Sequence, residues 1–195
     1  MTPLVAILGA GRAQRFGADK LNQPCCGKPL GQWPLDVALA SGLDTVWITG
    51  DRPPPWLGTQ CRWVANPQAG AGLSTSVSLA VELAVCAGHD AVLILLADMP
   101  RVTGAMVSAL LDTATTSAFR HPGDRPGVPA LIEQRHFPAM AALSGDRGAG
   151  ALLASIPGLV LLDAPQGALF DVDTPAALAA ASSAMACDQP GPSGI

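Results

Sequence analysis

The chain has 195 residues, a net charge of −4, 49% hydrophobic residues and only 13% charged ones. That length fits a single domain with ample core, and the sparse, acidic charge argues against a nucleic-acid partner, which needs a basic stripe. Mean hydropathy of +0.35 reflects abundant alanine, because the longest apolar run, 91–97, is closed by Asp90 and Asp98 and is far too short to cross a membrane.

Residues 4–8 have the length and flanks of a buried strand. The run breaks into Gly9-Ala10-Gly11-Arg12-Ala13-Gln14-Arg15-Phe16-Gly17-Ala18-Asp19-Lys20. Glycines let a ligand approach the main chain closely, and loop N–H groups backed by fixed cations form an anion cradle. A loop directly after the first strand is where α/β proteins usually bind nucleotides. The dinucleotide fingerprint would need its third glycine at Gln14. The ATPase phosphate loop fails too: Gly17 is one residue too far from Gly11, and Leu21 rather than a hydroxyl follows Lys20. On this stretch alone, a Gly-rich turn with solvated basic residues stands as the structural alternative.

Residues 30–41 carry apolar side chains at helical spacing and stop at Gly42, a suitable C-terminal cap. Residues 44–49 and 61–65 read as strands, separated by a surface loop at Pro53-Pro54-Pro55. Asn66-Pro67 opens a loop ending in Ser74-Thr75-Ser76, where a helix begins and runs to about 87. Such a start, rich in N–H and hydroxyl donors, suits a base edge or an α-phosphate, or serves only as a serine cap. Residues 90–96 form the most buried strand, and Thr103 caps a helix through 111. Strands at 115–121 and 127–133 flank a turn at Pro122-Gly123-Asp124. Helical pieces follow at 135–144 and 148–155, then strands at 159–162 and 168–172. Thr174-Pro175 opens an Ala-rich helix to about 185. Residues 1–187 form the one expected domain, with 188–195 a disordered tail. Alternating strands and helices imply a three-layer α/β/α sandwich with a mostly parallel, Rossmann-like sheet. Ligands bind such sheets at the strand C-terminal ends, where these loops fall.

The cysteines Cys25, Cys26, Cys61, Cys86 and Cys187 are odd in number and lack C-x-x-C spacing, so neither a disulfide framework nor a zinc site is expected. Cys25 and Cys26 read as packed or incidental thiols. His89, His121 and His136 match no ligand pattern and read as surface or packing residues. No basic segment followed by an apolar core opens the sequence, so the expected location is cytoplasmic. Asp98 ends the most buried strand, a poor position for a packing residue. Beside a triphosphate loop it suits Mg²⁺, which takes hard oxygen ligands plus substrate phosphates. Asp171 or Asp173 can supply the second carboxylate, although Asp173-Thr174-Pro175 also reads as a helix cap with proline at the first helical position.

Leu8 to Gly11, Arg15-Phe16-Gly17 and Lys20 resemble the L-x-[AG]-G-x-x-x-R-[MF]-G-x-x-K signature of sugar-phosphate and cofactor nucleotidyltransferases. With Gly27-Lys28-Pro29-Leu30, Asn66 to Ser76, Ala97-Asp98-Met99-Pro100, Gly127-Val128-Pro129, Ser144-Gly145-Asp146-Arg147-Gly148-Ala149 and Asp171-Val172-Asp173-Thr174-Pro175, the chain resembles the MobA-like nucleotidyltransferases over nearly its full length. The motifs Asn66 to Ser76, Gly145 to Ala149 and Asp171 to Pro175 look more like the molybdenum cofactor cytidylyltransferase branch. The resemblance implies roles. Leu8, Gly9, Ala10 and Gly11 hold base and ribose through the main chain; Arg15 and Lys20 clamp the β- and γ-phosphates. Asn66, Gly72 and Ser74 line the nucleoside pocket. Asp98 and Asp173 hold Mg²⁺, and Gly127, Pro129, Asp146, Arg147 and Gly148 face the acceptor. Two departures stand out: Gly9 replaces the more usual alanine, and Val128 stands where relatives often carry Asn or His.

The implied reaction transfers NMP from CTP or GTP to a phosphorylated acceptor such as molybdopterin, releasing pyrophosphate, with Arg15, Lys20 and Asp98 catalytic. A molybdoenzyme or its chaperone is the implied protein partner. The alternatives are a nucleotide-binding regulator or cofactor chaperone without catalysis, a nicotinamide or flavin oxidoreductase, and transfer to a different phosphorylated metabolite.

Overall fold

A computed structural model describes residues 1–10, 16, 19–143, 145 and 149–188, with 187 and 188 described as backbone only. In chain order its strands are β1 (Pro3–Leu8), β2 (Pro24–Cys25), β3 (Lys28–Pro29), β4 (Thr45–Thr49), β5 (Arg62–Ala65), β6 (Ala91–Leu96), β7 (Ser117–His121), β8 (Arg125–Glu133) and β9 (Val160–Leu162). The α-helices are α1 (Gln32–Ala40), α2 (Leu73–Cys86), α3 (Gly104–Asp112), α4 (Phe137–Ala141), α5 (Ala149–Leu153) and α6 (Pro175–Asp188). No helix among the described residues is long and apolar enough to cross a membrane.

Seven strands form one sheet in the order β5-β4-β1-β6-β8-β7-β9, and β2-β3 is a separate ribbon. The pairs β5-β4, β4-β1, β1-β6 and β7-β9 are parallel; β8 runs antiparallel to both β6 and β7. The sheet is the expected mostly parallel one, with an antiparallel insert. β1 lies inside it, between β4 and β6, with every residue buried, which explains its unbroken apolar run: both faces are covered, so there is no solvent side to mark by alternation. Alternate side chains pack into two cores. Val5, Ile7, Trp47, Leu93 and Leu95 meet Leu35 of α1, Leu110 of α3 and Ala181 of α6. Leu4, Leu8, Val46, Ile48 and Ile94 meet Val77 and Val81 of α2, Met140 of α4 and Leu153 of α5. A fully buried side chain of this kind contributes about 1.5–3 kcal/mol, so packing outweighs capping here. α1 and α2 accordingly lack any side-chain cap, whereas Thr103 caps α3 by accepting the Met106 N–H.

Two segments depart from expectation. Residues 168–172 are not a strand. Ala168 and Val172 are buried, so the apolar pattern is real, but the backbone groups serve other partners. Val172 N–H donates to the Asp98 carbonyl at 3.0 Å, and the Val172 carbonyl accepts from the Lys20 ammonium at 3.0 Å. The helix expected over 135–144 is split into a 3₁₀ turn (Gln134–His136) and the short α4, because Pro138 in its first turn has no N–H to carry the helix back across the join. The final helix runs to Asp188, three residues beyond the expected end.

Candidate active site

The strand ends are stitched along one edge of the sheet. Gly9 N–H donates to Ile48 O (2.8 Å), Ala97 N–H to Leu8 O (3.1 Å) and Asn66 N–H to Thr49 O (2.7 Å). Leu8, Gly9, Ala10, Asn66 and Asp98 therefore share the C-terminal edge of β1, β4, β5 and β6, where ligands of parallel sheets bind.

Gly9 has a steric reason to be glycine. A Cβ there would stand 2.7 Å from Cζ2 of Trp47, which is wholly buried and meets Trp56 edge-on at 5.4 Å between ring centroids. The large β4 side chain occupies the space that an alanine methyl would fill. Gly72, with φ of 118°, adopts a left-handed backbone immediately before α2.

Asn66, expected to line the nucleoside pocket, also holds the loop that follows it. Its side chain is buried; Nδ2 donates to Thr75 Oγ1 (2.9 Å) and Ser76 Oγ (3.0 Å), and Oδ1 accepts from Gln68 N–H (3.0 Å). It ties the 66–72 loop to the first turn of α2. Ser74 is also buried, and its N–H donates to the Gly145 carbonyl at 3.3 Å, which brings the backbone at Gly145 against the start of α2.

The charged centre lies at Lys20. A single 3₁₀ turn, Lys20–Asn22, buries Leu21 in the core and turns Lys20 back over the sheet edge. Its Nζ donates to Asp98 Oδ2 at 2.6 Å, Asp173 Oδ1 at 3.1 Å and the Val172 carbonyl at 3.0 Å. The Lys20 side chain is 11% exposed and that of Asp98 20%. Burial alone would lower the ammonium pKa, but the two carboxylates outweigh it and hold it above its ordinary value. Asp98 and Asp173, 75 residues apart in sequence, thus converge on one cation. The cap of α6 is Thr174, whose Oγ1 accepts the Ala177 N–H at 3.1 Å with Pro175 as the first helical residue. Asp173 is left free of capping.

Asp171 stands close behind. Its side chain reaches water, yet the protein packed around it and the nearby Asp98 and Asp173 carboxylates push its carboxyl up to about 6, against smaller opposing effects of His121 and Lys20. Three acidic groups around one ammonium leave an excess of negative charge. No group of three or more His, Cys, Asp or Glu side chains with metal-holding geometry occurs among the described residues. Two carboxylates whose oxygens already share a cation nonetheless fit Mg²⁺, which binds through one or two carboxylates plus substrate phosphates.

His121, read from sequence as surface or packing, belongs to the rim of this site. Its Nε2 hydrogen-bonds the Val128 carbonyl at 2.8 Å, and a Cβ on Gly127 would lie 2.5 Å from its ring. Gly127 and Val128 are half-buried and Pro129 is buried. Beside them a cavity of about 490 Å³ is lined by Arg120, His121, Gln166, Leu169 and the exposed Phe170. The sequence carried no signal that His121 lies near enough to Asp171 to act on its charge, since 50 residues separate them. Cys25 is buried and accepts from Ser182 Oγ at 3.4 Å, consistent with a packed thiol. Gly11, Arg15, Asp146, Arg147, Gly148 and the 189–195 tail lie outside the described residues.

Residues 5–160 match the family described as MobA-like NTP transferase domain. The purine catabolism protein PucB of Bacillus subtilis (strain 168) is 33% identical over 188 residues, covering 87% of this chain and 90% of that protein. Among solved structures, Rv0371c of Mycobacterium tuberculosis H37Rv superposes with a TM-score of 0.77 at 23% identity, covering 94% of this chain and 99% of that one. Rv0371c in complex with manganese gives 0.74 at 23% identity with the same coverage. The molybdopterin-guanine dinucleotide biosynthesis protein A of Archaeoglobus fulgidus gives 0.67 at 19% identity, covering 94% and 99%. These structures share the fold. The family match over most of the chain, together with a relative one-third identical along nearly its whole length, shows that this protein belongs to the MobA-like NTP transferase family.

Proposed function

We propose that the protein transfers a nucleoside monophosphate from an NTP, CTP in preference to GTP, to a phosphorylated acceptor of the molybdopterin or molybdenum cofactor type, with Mg²⁺ as the metal. The observation that carries this reading is the convergence of Lys20, Asp98 and Asp173 on the sheet edge that also holds Gly9 and Ala10. Asp98 and Asp173 would hold the metal. A bound divalent cation neutralises charge on the phosphates and stabilises the departing pyrophosphate. The Leu8 to Gly11 main chain receives base and ribose, and Lys20 with Arg15 holds the β- and γ-phosphates. An acceptor phosphate oxygen attacks the α-phosphorus in line, its bond to that phosphorus forms as the bond to pyrophosphate breaks, and no strong base is required because the nucleophile is already ionised. Positioning and charge neutralisation then carry the rate.

The preference for CTP is supported by the Asn66 to Ser76 and Asp171 to Pro175 motifs. The acceptor class is supported by the family and by the name of the Archaeoglobus relative. The direct test is pyrophosphate release from each of the four NTPs with Mg²⁺ and molybdopterin or molybdenum cofactor. Release with CTP and acceptor, absent when either is omitted, is the expected result. A thermal-shift screen of the same nucleotides checks binding independently of turnover. Absence of both release and shift, or undiminished turnover in excess EDTA, would overturn the proposal.

A further inference from the structure

The Lys20 ammonium stands between the two carboxylates assigned to the metal, bonded to Asp98, Asp173 and the Val172 carbonyl, on a side chain that is 11% exposed. Two cations do not share one carboxylate pair at contact distance without strong repulsion. We propose that Lys20 is the resident counter-ion of the Asp98–Asp173 pair, that its ammonium must leave before a divalent cation is held there, and that the phosphate chain of the nucleotide supplies the anion to which it moves. Resting on the nucleotidyltransferase reading of the site, this assigns the residue a second role besides phosphate binding.

The consequence is coupling. Without nucleotide, metal binding has to displace a well-bonded ammonium, so the empty enzyme holds metal weakly. With nucleotide, Lys20 has an alternative partner, and metal and nucleotide each favour the other's binding, as reciprocity requires. An ordinary phosphate-binding lysine makes the opposite prediction for the nucleotide-free protein: removing it leaves metal affinity unchanged.

Two measurements test this, neither of them turnover. The first is Mn²⁺ binding without nucleotide, followed by the EPR signal of the free ion, for wild type, Lys20→Met and Lys20→Arg. Lys20→Met should bind Mn²⁺ at least fivefold more tightly than wild type, and Lys20→Arg, which keeps the charge, should remain close to wild type. Equal or weaker binding by Lys20→Met overturns the proposal. The second needs no variant, because Lys20 and Lys28 are the chain's two lysines. Lys28 is held apart by Asp36 and the Trp33 ring and serves as the internal reference. Acetylation followed by mass spectrometry should be slow at Lys20 in EDTA and at least threefold faster with saturating Mg²⁺, with Lys28 unchanged. An unresponsive Lys20 overturns the proposal. If Mn²⁺ binds in the presence of CTP but Lys20 fails both tests, only the counter-ion role falls. If wild type and Lys20→Met bind no Mn²⁺ even with CTP, the metal reading of the site falls with it.

Discussion

Substituting Gly9 by alanine tests the packing beneath the first loop. The added methyl would meet Trp47 at 2.7–2.9 Å, whereas carbon contacts are comfortable at about 3.5–4.0 Å. The ring cannot simply slide. Trp47 is wholly buried, Trp56 stands against it, and a Cβ on Gly31 would lie within 3.0 Å of it, so that side is full too. The φ of Gly9 lies outside the left-handed region, so alanine suffers no backbone strain and the cost is overpacking, about 1–3 kcal/mol. Loss of glycine's freedom in the unfolded chain returns about 0.4–1 kcal/mol. Mid-range values leave a net cost of about 1.3 kcal/mol, or about 3–5 °C in Tm for a chain of 195 residues. Urea denaturation of wild type, Gly9→Ala, Trp47→Phe and the double variant closes the cycle. Trp47→Phe should be milder than a usual core truncation, since it also removes an indole N–H that is buried without a partner among the described residues. The double variant should recover about 1 kcal/mol relative to additivity. A Gly9→Ala cost within about 0.5 kcal/mol of zero, or a strictly additive double variant, refutes the steric account.

Asp98→Asn should lower kcat/KM at least about a hundredfold, the scale of losing a charge stabiliser in a transition state, read by pyrophosphate release; a change under tenfold removes Asp98 from the chemistry. Thr174→Ala should cost about 1 kcal/mol through the lost cap of α6, read by urea denaturation, and a cost of zero would return the cap to Asp173. Glu133 accepts from Thr116 N–H and Oγ1, from Thr115 Oγ1 and from Arg135. Burial pushes its carboxyl up, but these bonds prevail and hold it below its ordinary 4.5. A depressed carboxylate stabilises the fold above its unfolded pKa, and that stabilisation is lost as pH falls through the folded value. Glu133→Gln should therefore cost about 1 kcal/mol at pH 7, with the gap from wild type closing as pH is lowered below about 4. Thermal melts against pH read this directly; a gap that persists at acid pH excludes the ionised bonds as its source.

The order of elements, the parallel sheet and the location of the first loop were legible along the chain, because they rest on local signals: apolar runs, caps and glycines. β1 and β6 declare themselves as buried strands within a handful of residues, and Thr103 as a cap by its neighbours alone. Asp98 was legible for a related reason, since a carboxylate closing the most buried strand has no packing explanation. The rest depended on groups distant in sequence. Residues 168–172 carry a strand's apolar pattern, but only the folded chain decides that the Val172 carbonyl goes to Lys20 rather than to a ladder. Nothing in the sequence pairs Asn66 with Thr75 and Ser76, the two hydroxyl partners it takes in the folded chain. Whether Asp173 caps a helix or faces a cation turns on one hydrogen bond from Ala177 to Thr174. Local chemistry named the charged residues; which of them meet was determined by tertiary packing, because electrostatic partnership depends on distance in space, which spacing along a chain does not encode.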